Sequence, residues 1–220
     1  MRHVYLRAAK YLIGILVTSL AIVFAVRGQQ PQPSPPRPES DPVAAKAKPD
    51  PDPYKTYVFP TRRERFDRYV KDTIGPFSLV RSAAAAGIAQ WKDSPDEWGQ
   101  GMKGYGKRFA SSVGRNAIQQ SVTYGLDEAL GLDTGFQRSN REGVGARLKH
   151  AFLESITSRT KSGRRVISVP RLAGVYTGTI VANETWYPDR YSYKDGLRNG
   201  SATLLAGFGV NLFREFLFNW

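Results

Sequence analysis

The chain has no cysteine, which excludes disulfides, cysteine-linked lipid, thiol catalysis and cysteine-based metal sites. Histidine is nearly absent. His3 lies in the N-terminal leader, and His150 is the one histidine of the body. A lone histidine fits serine-triad chemistry poorly and would leave a zinc ion almost wholly to carboxylates. On a helix following Ser139, His150 falls on the polar side, away from Val144, Leu148 and Ala151, and reads as a surface residue. Facing acids are also missing. Asp96 and Glu97, like Asp127 and Glu128, are neighbours at expected helix ends, while Glu154, Glu184, Asp189 and Asp195 are scattered. Glycosidase-type hydrolysis needs two acids across a cleft, and no such pair can be chosen. These absences give no catalytic residue, cofactor site or metal site. An envelope hydrolase built on His150 or on an unrecognised acid pair is the competing class.

What is present begins with the first thirty residues. Arg2, Arg7 and Lys10 form a basic head without an acid, and residues 11–26 carry no charge. Val26 and Gly28 are small enough for the −3 and −1 positions of a cleavage site. This is the pattern of an export signal. A retained N-terminal membrane anchor is the other reading, although a spanning helix wants about 20 apolar residues. Both readings place the body outside the cytoplasm. Residues 29–53 then hold nine of the 14 prolines, and residues 29–56 have balanced charge. Such composition stays extended and reads as a disordered linker. The body, 57–220, carries +9 of the net +13. That charge permits attraction to a membrane surface or an anionic envelope partner, and export disfavours nucleic acid.

The body reads as mainly α: a glycine- and alanine-rich bundle of about five to six helices with room for one short strand pair. Ser94-Pro95-Asp96-Glu97 has the form of a capping box, opening a helix expected to run over 95–130. Trp98, Met102, Tyr105, Phe109 and Val113 make an apolar stripe at helical spacing. Beside it runs a stripe of small residues, Gly106, Ala110, Gly114, Ala117, Ser121 and Gly125, leaving Arg108, Ser111, Arg115 and Gln119 on the remaining face. Small stripes recur at Gly174, Gly178 and Ala182, and at Gly196 and Gly200. Each interior glycine costs about 1 kcal/mol relative to alanine, so another backbone is expected to pack against these faces. On that basis Gly114→Leu should cost more than the same change at Ser111. Residues 61–74 read as a charged helix. Residues 76–91 read as another, with Phe77, Val80, Ala84, Ile88 and Trp91 on one side. Ser139 and Glu142 suggest a second capping box. Residues 164–169 fit a short strand, and 171–182 fit strand as well as helix.

Gly99-x-Gly101-x-x-Gly104 matches a dinucleotide fingerprint literally, but no hydrophobic strand precedes it and no acid follows before Asp127. Helix packing explains it better. The alternating aromatics Phe216, Phe218 and Trp220 suggest the last strand of an outer-membrane barrel, a minority alternative needing about eight alternating strands.

The segment 95–108, Pro-Asp-Glu-Trp-Gly-Gln-Gly-Met-Lys-Gly-Tyr-Gly-Lys-Arg, resembles one in a family of uncharacterised exported bacterial proteins. Arg171-Leu-Ala-Gly174 and Trp186-Tyr-Pro188 resemble later segments of that family. The resemblance implies a bacterial exported protein, in the periplasm or membrane-anchored and facing it, and carries no activity. The reading is therefore a non-enzymatic cell-envelope protein, a structural or interaction domain that meets a membrane surface, an envelope partner or another copy of itself.

Overall fold

The computed structural model describes residues 57–137 and 143–217. The leader, the linker, the suggested capping box at Ser139 and Glu142, and Phe218 and Trp220 of the suggested barrel strand lie outside these residues. Helix α1 (Arg62–Ile74) opens on a capping box that the sequence reading missed. Thr61 Oγ1 accepts from the Glu64 backbone N–H at 3.3 Å, and Glu64 Oε2 accepts from the Thr61 N–H at 2.7 Å. Helix α2 (Pro76–Trp91) follows at once, its proline at the first helical position, where no amide is needed.

The expected capping box at Ser94 does not form. Pro95 leads instead into one 3₁₀ turn, Asp96–Trp98, and Gly99 and Gly101 then take φ of 69° and 75°. Those left-handed conformations break the chain, so the long helix α3 starts late and spans Gly101–Leu130. Its 30 residues reach about 45 Å. Asp96 and Glu97 both pair with Arg190 rather than capping a helix. Gly131 ends α3 with φ 63°, the left-handed helix stop.

Strand β1 (Leu132–Asp133) then pairs antiparallel with β2 (Thr157–Thr160), Asp133 opposite Arg159. Helix α4 (Val144–Ile156) runs between them. Strand β3 (Arg165–Ile167) completes the small sheet, with Ser158 opposite Val166. The residue range 171–182 is helix, not strand. Ser168 caps helix α5 (Val169–Thr185) by accepting from the Arg171 N–H, and Pro170 sits in its first turn. Helix α6 (Tyr193–Leu217) closes the described chain. The fold is mainly α with a three-stranded sheet of two to four residues per strand, and the barrel alternative falls.

Helix α3 is the axis, with α5, α2 and α1 packed along it, α6 on α5, and α4 on α6. The seams are lined by small and polar residues. A Cβ at Gly174 would collide with Thr123 Oγ1 and lie 2.6 Å from the Gln119 carbonyl oxygen; one at Gly178 would lie 2.8 Å from the Arg115 carbonyl oxygen. Ala182 is buried on the same face of α5. Gly196 and Gly200 of α6 press on Ile180 and Tyr176 of α5 in the same way.

The stripe on α3 behaves differently. Gly106 and Gly125 have open space where a side chain would go, Ala110 and Ser121 are exposed, and Ala117 is partly covered. A Cβ at Gly114 would lie 3.6 Å from the Trp186 ring, an ordinary contact. The buried face of α3 is the polar one: Arg108, Ser111, Ser112, Asn116, Thr123 and Asp127. Met102, expected in an apolar core stripe, is 84% exposed. Helix α2 is turned the same way. Ser78, Ser82 and Ala86 face inward, while Phe77, Val80, Ala84, Ile88 and Trp91 are exposed. In α4 the inward side is Ala151, Glu154 and Ser155; Val144, Leu148 and Phe152 face out.

The polar interior is largely hydrogen-bonded. Asn116 Nδ2 donates to the carbonyls of Asp72 and Thr73 and to Ser78 Oγ, which fixes the α1–α2 corner on α3. Trp186 Nε1 donates to Ser111 Oγ at 2.9 Å, and Asn211 Nδ2 to Ser155 Oγ at 2.9 Å. Satisfied buried networks of this kind fix geometry where a hydrophobic core is thin.

Candidate functional site

Three features of the fold invite a functional reading: the turn held by Arg108, a buried histidine–glutamate cluster, and an arginine-lined cavity.

Arg108 is 3% exposed, and its guanidinium donates to five acceptors. They are the carbonyls of Ser94, Pro95 and Gly99, Gln90 Oε1 and Asp93 Oδ1, at 2.6–3.2 Å. A fork of five donors is what arginine offers, and lysine could not replace it. A Cβ at Gly104 would collide with the Gly99 carbonyl. The glycines of the fingerprint-like stretch therefore let the turn fold back onto its own arginine. Trp98 packs on Tyr187, with ring centroids 5.0 Å apart. The segments 95–108 and 186–188 thus meet in space.

His150 is not a surface residue. Its side chain is 10% exposed and lies between two buried carboxylates, with Nε2 3.6 Å from Glu154 Oε1 and Nδ1 3.6 Å from Glu215 Oε2. Burial pushes the imidazole pKa down, and the two carboxylates pull against that. The facing acids missing from the sequence therefore exist in space. Their oxygens are already engaged. Glu154 takes Arg159 at 3.0 Å, Arg165 at 2.8 Å and the Gln137 N–H at 3.3 Å; Glu215 pairs with Arg147 at 3.3 Å. Neither carboxylate lines the cavity described below. The cluster ties α4, α6 and the small sheet together. The i,i+4 spacing of His150 and Glu154 was the one sign of it in the sequence; Glu215, 61 residues beyond Glu154, gave none.

The cavity is about 540 Å3. Helix α3 supplies Gln119, Gln120 and Thr123, and the 134–137 turn supplies Thr134 and Gln137. Helix α6 supplies Thr203, Leu204, Gly207, Asn211 and Arg214, and α5 supplies Arg171 and Val175. Arg68 and Asp72 of α1 and Arg81 of α2 close the wall. Arg68 is already paired with Asp133, 2.7 Å away, where the Tyr57 hydroxyl also donates at 2.7 Å. Burial and that carboxylate together push the Tyr57 phenol pKa up. The other three arginines have neutral partners. Arg171 donates to the carbonyls of Thr134 and Glu154. Arg81 donates to Asn116 Oδ1 at 2.9 Å. The Arg214 guanidinium lies 5.5 Å from the Phe77 ring centroid. No ion pair joins any of them to a carboxylate among the described residues. Burial pushes the pKa of Arg81 and of Arg171 down, and the charge of Arg214 pushes both further. Asp72 opposes the shift at Arg81, and Glu154, Asp127 and Asp133 oppose it at Arg171. Arginine stays charged through such shifts.

Asp127, behind this wall, accepts from the Thr134 hydroxyl at 2.6 Å and its N–H at 3.3 Å. Burial nevertheless raises its pKa to about 7. Among the described residues, the wall of the cavity holds one carboxylate, Asp72, and no histidine, lysine or cysteine. The only sequence signal for it was the basic balance of the body. Its arginines come from α1, α2, α5 and α6, too far apart in sequence to form a motif.

Comparison with protein families, with curated proteins and with solved structures finds no match to this chain.

Proposed function

We propose that the chain is a non-enzymatic, exported cell-envelope protein whose body is an interaction domain that rests on the surface of an anionic membrane. One observation carries this reading: the large apolar side chains point outward and the small and polar ones inward. Val80 is 66% exposed and Trp91 85%, while Ala86 on the opposite side of the same helix is 1% exposed. Exposed apolar surface on this scale calls for a cover. No helix among the described residues is long and apolar enough to cross a membrane; an apolar face beside basic residues suits a domain that lies on a surface. The +9 charge of residues 57–220 favours an anionic one. Were the leader retained as an anchor, the linker would keep the body near it.

The test is co-sedimentation of the chain with vesicles of phosphatidylglycerol and phosphatidylcholine, with tryptophan fluorescence as a second readout. Binding to the anionic vesicles, weakened by salt and accompanied by a blue shift, is the expected result. Concentration-dependent self-association without vesicle binding would assign the apolar faces to a second copy instead.

A further inference from the structure

We propose that the arginine-lined cavity binds a small hydroxylated organic oxyanion, with Arg81 and Arg214 holding its charged group and the amides of Gln119, Gln120 and Asn211 its polar body. The inference stands apart from docking of the outer faces, because it rests on the interior of the bundle.

Charge comes first. Arg81, Arg171 and Arg214 converge on one space from three different helices, and each spends its hydrogen bonds or its face on a neutral group. Arg68 is compensated by Asp133, so among the described residues of the wall Asp72 is the one carboxylate left to answer three cations, with Glu154, Asp127 and Asp133 acting on Arg171 from behind it. Withdrawing guanidinium groups from water without counter-charge is costly, and like charges around one void add to that cost. An oxyanion in the void removes both penalties. Carboxylate and phosphate groups match the guanidinium fork in geometry as well as in charge.

The rest of the wall sets what the anion is attached to. It is rich in amides and hydroxyls, which suit a body that both donates and accepts hydrogen bonds. Apolar cover is limited to a few side chains such as Phe136, Leu204 and Val210. A purely hydrocarbon acid would leave the amides unanswered. A volume of about 540 Å3 exceeds what a bare inorganic ion fills and lies within the range of small-molecule sites. A sugar phosphate and a sugar acid share the required chemistry.

The experiment is isothermal titration calorimetry on the full chain in mild detergent, with glucose 6-phosphate, glucuronate, inorganic phosphate and glucose as probes. At least one of the two charged sugars is expected to bind tenfold or more tightly than inorganic phosphate, and which one it is separates phosphate from carboxylate recognition. Neutral glucose is expected to show no heat. Arg214→Gln is expected to weaken binding at least tenfold. Gly207 lines the cavity and has open space at its Cβ position, so Gly207→Leu obstructs the site while leaving every arginine in place. Gly209 has equally open space and does not line the cavity, so Gly209→Leu is the matched control and binds as the parent does. Circular dichroism of each variant confirms that it is folded. Absence of binding by both charged sugars overturns the proposal. So does binding unchanged in both Arg214→Gln and Gly207→Leu, or equal binding of inorganic phosphate.

Discussion

At the scale of the residue, glycines of like appearance in sequence do different things. Gly174 faces the Gln119 carbonyl oxygen and Thr123, whereas Gly106 faces open space. Gly174→Ala must push α5 off α3, and overpacking costs about 1–3 kcal/mol. Gly106→Ala meets nothing and gains up to about 1 kcal/mol of helix propensity. Urea denaturation of the two variants should therefore show shifts of opposite sign; two gains would mean that the α3–α5 seam has slack. The expected order of Gly114→Leu and Ser111→Leu is reversed by the same geometry. Ser111 is buried and accepts from Trp186 Nε1, so replacing it strands an indole N–H.

Asp127 makes a second residue-scale prediction. Its pKa of about 7 in the fold stands against an ordinary value of 3.8. Between those values the folded chain keeps a proton that the unfolded chain has released. Stability therefore falls as pH rises through this window, by about 1.4 kcal/mol per unit at the steepest and of order 4 kcal/mol in all. Asn at this position cannot titrate. The stability of Asp127→Asn relative to the parent should rise from pH 4.5 to 7.5, measured by urea midpoints. Parallel pH profiles for the two proteins would show that Asp127 ionises freely in the fold.

At the scale of the element, helix content was legible and helix orientation was not. Spacing, Pro76 and Gly131 marked where helices lie, and the bundle with a small sheet followed from them. The sign of the amphipathic stripes on α2 and α4 was misread, because apolar periodicity was taken to mean burial. In α2 and α4 the periodic large residues are the outer face, and the inner face is Ser78, Ser82 and Ala86, or Ala151, Glu154 and Ser155. Small residues carry little hydropathy signal, so a seam built from them is faint in sequence. The start of α3 failed for a different reason. Ser94-Pro95-Asp96-Glu97 has the composition of a cap, but Arg108 draws the carbonyls of Ser94 and Pro95 into a turn, a contact 13–14 residues away. The cavity was invisible for the same cause at longer range: Arg81 and Arg214 are brought together only by packing.

At the scale of the whole molecule, the apolar outer face and the polar interior make one testable statement. If the large side chains on the outside of α2 serve association and not the fold, charge can replace them without loss of stability. Val80 and Ile88 are 66% and 55% exposed, eight residues apart on one face. The double variant Val80→Lys, Ile88→Lys should melt close to the parent, since surface changes away from special features stay within about 0.5 kcal/mol each. Lysine is also a good helix former. Ala86→Lys, on the inner side of the same helix at 1% exposure, should be strongly destabilising because it buries an unpaired cation. Added positive charge strengthens long-range attraction to anionic lipid but removes the apolar contact. Vesicle binding by the double variant should therefore persist at low salt and collapse near physiological ionic strength, where the Debye length is about 8 Å. Parent-like binding there would exclude the α2 face as the docking surface, and a large loss of stability in the double variant would make that face part of the fold itself.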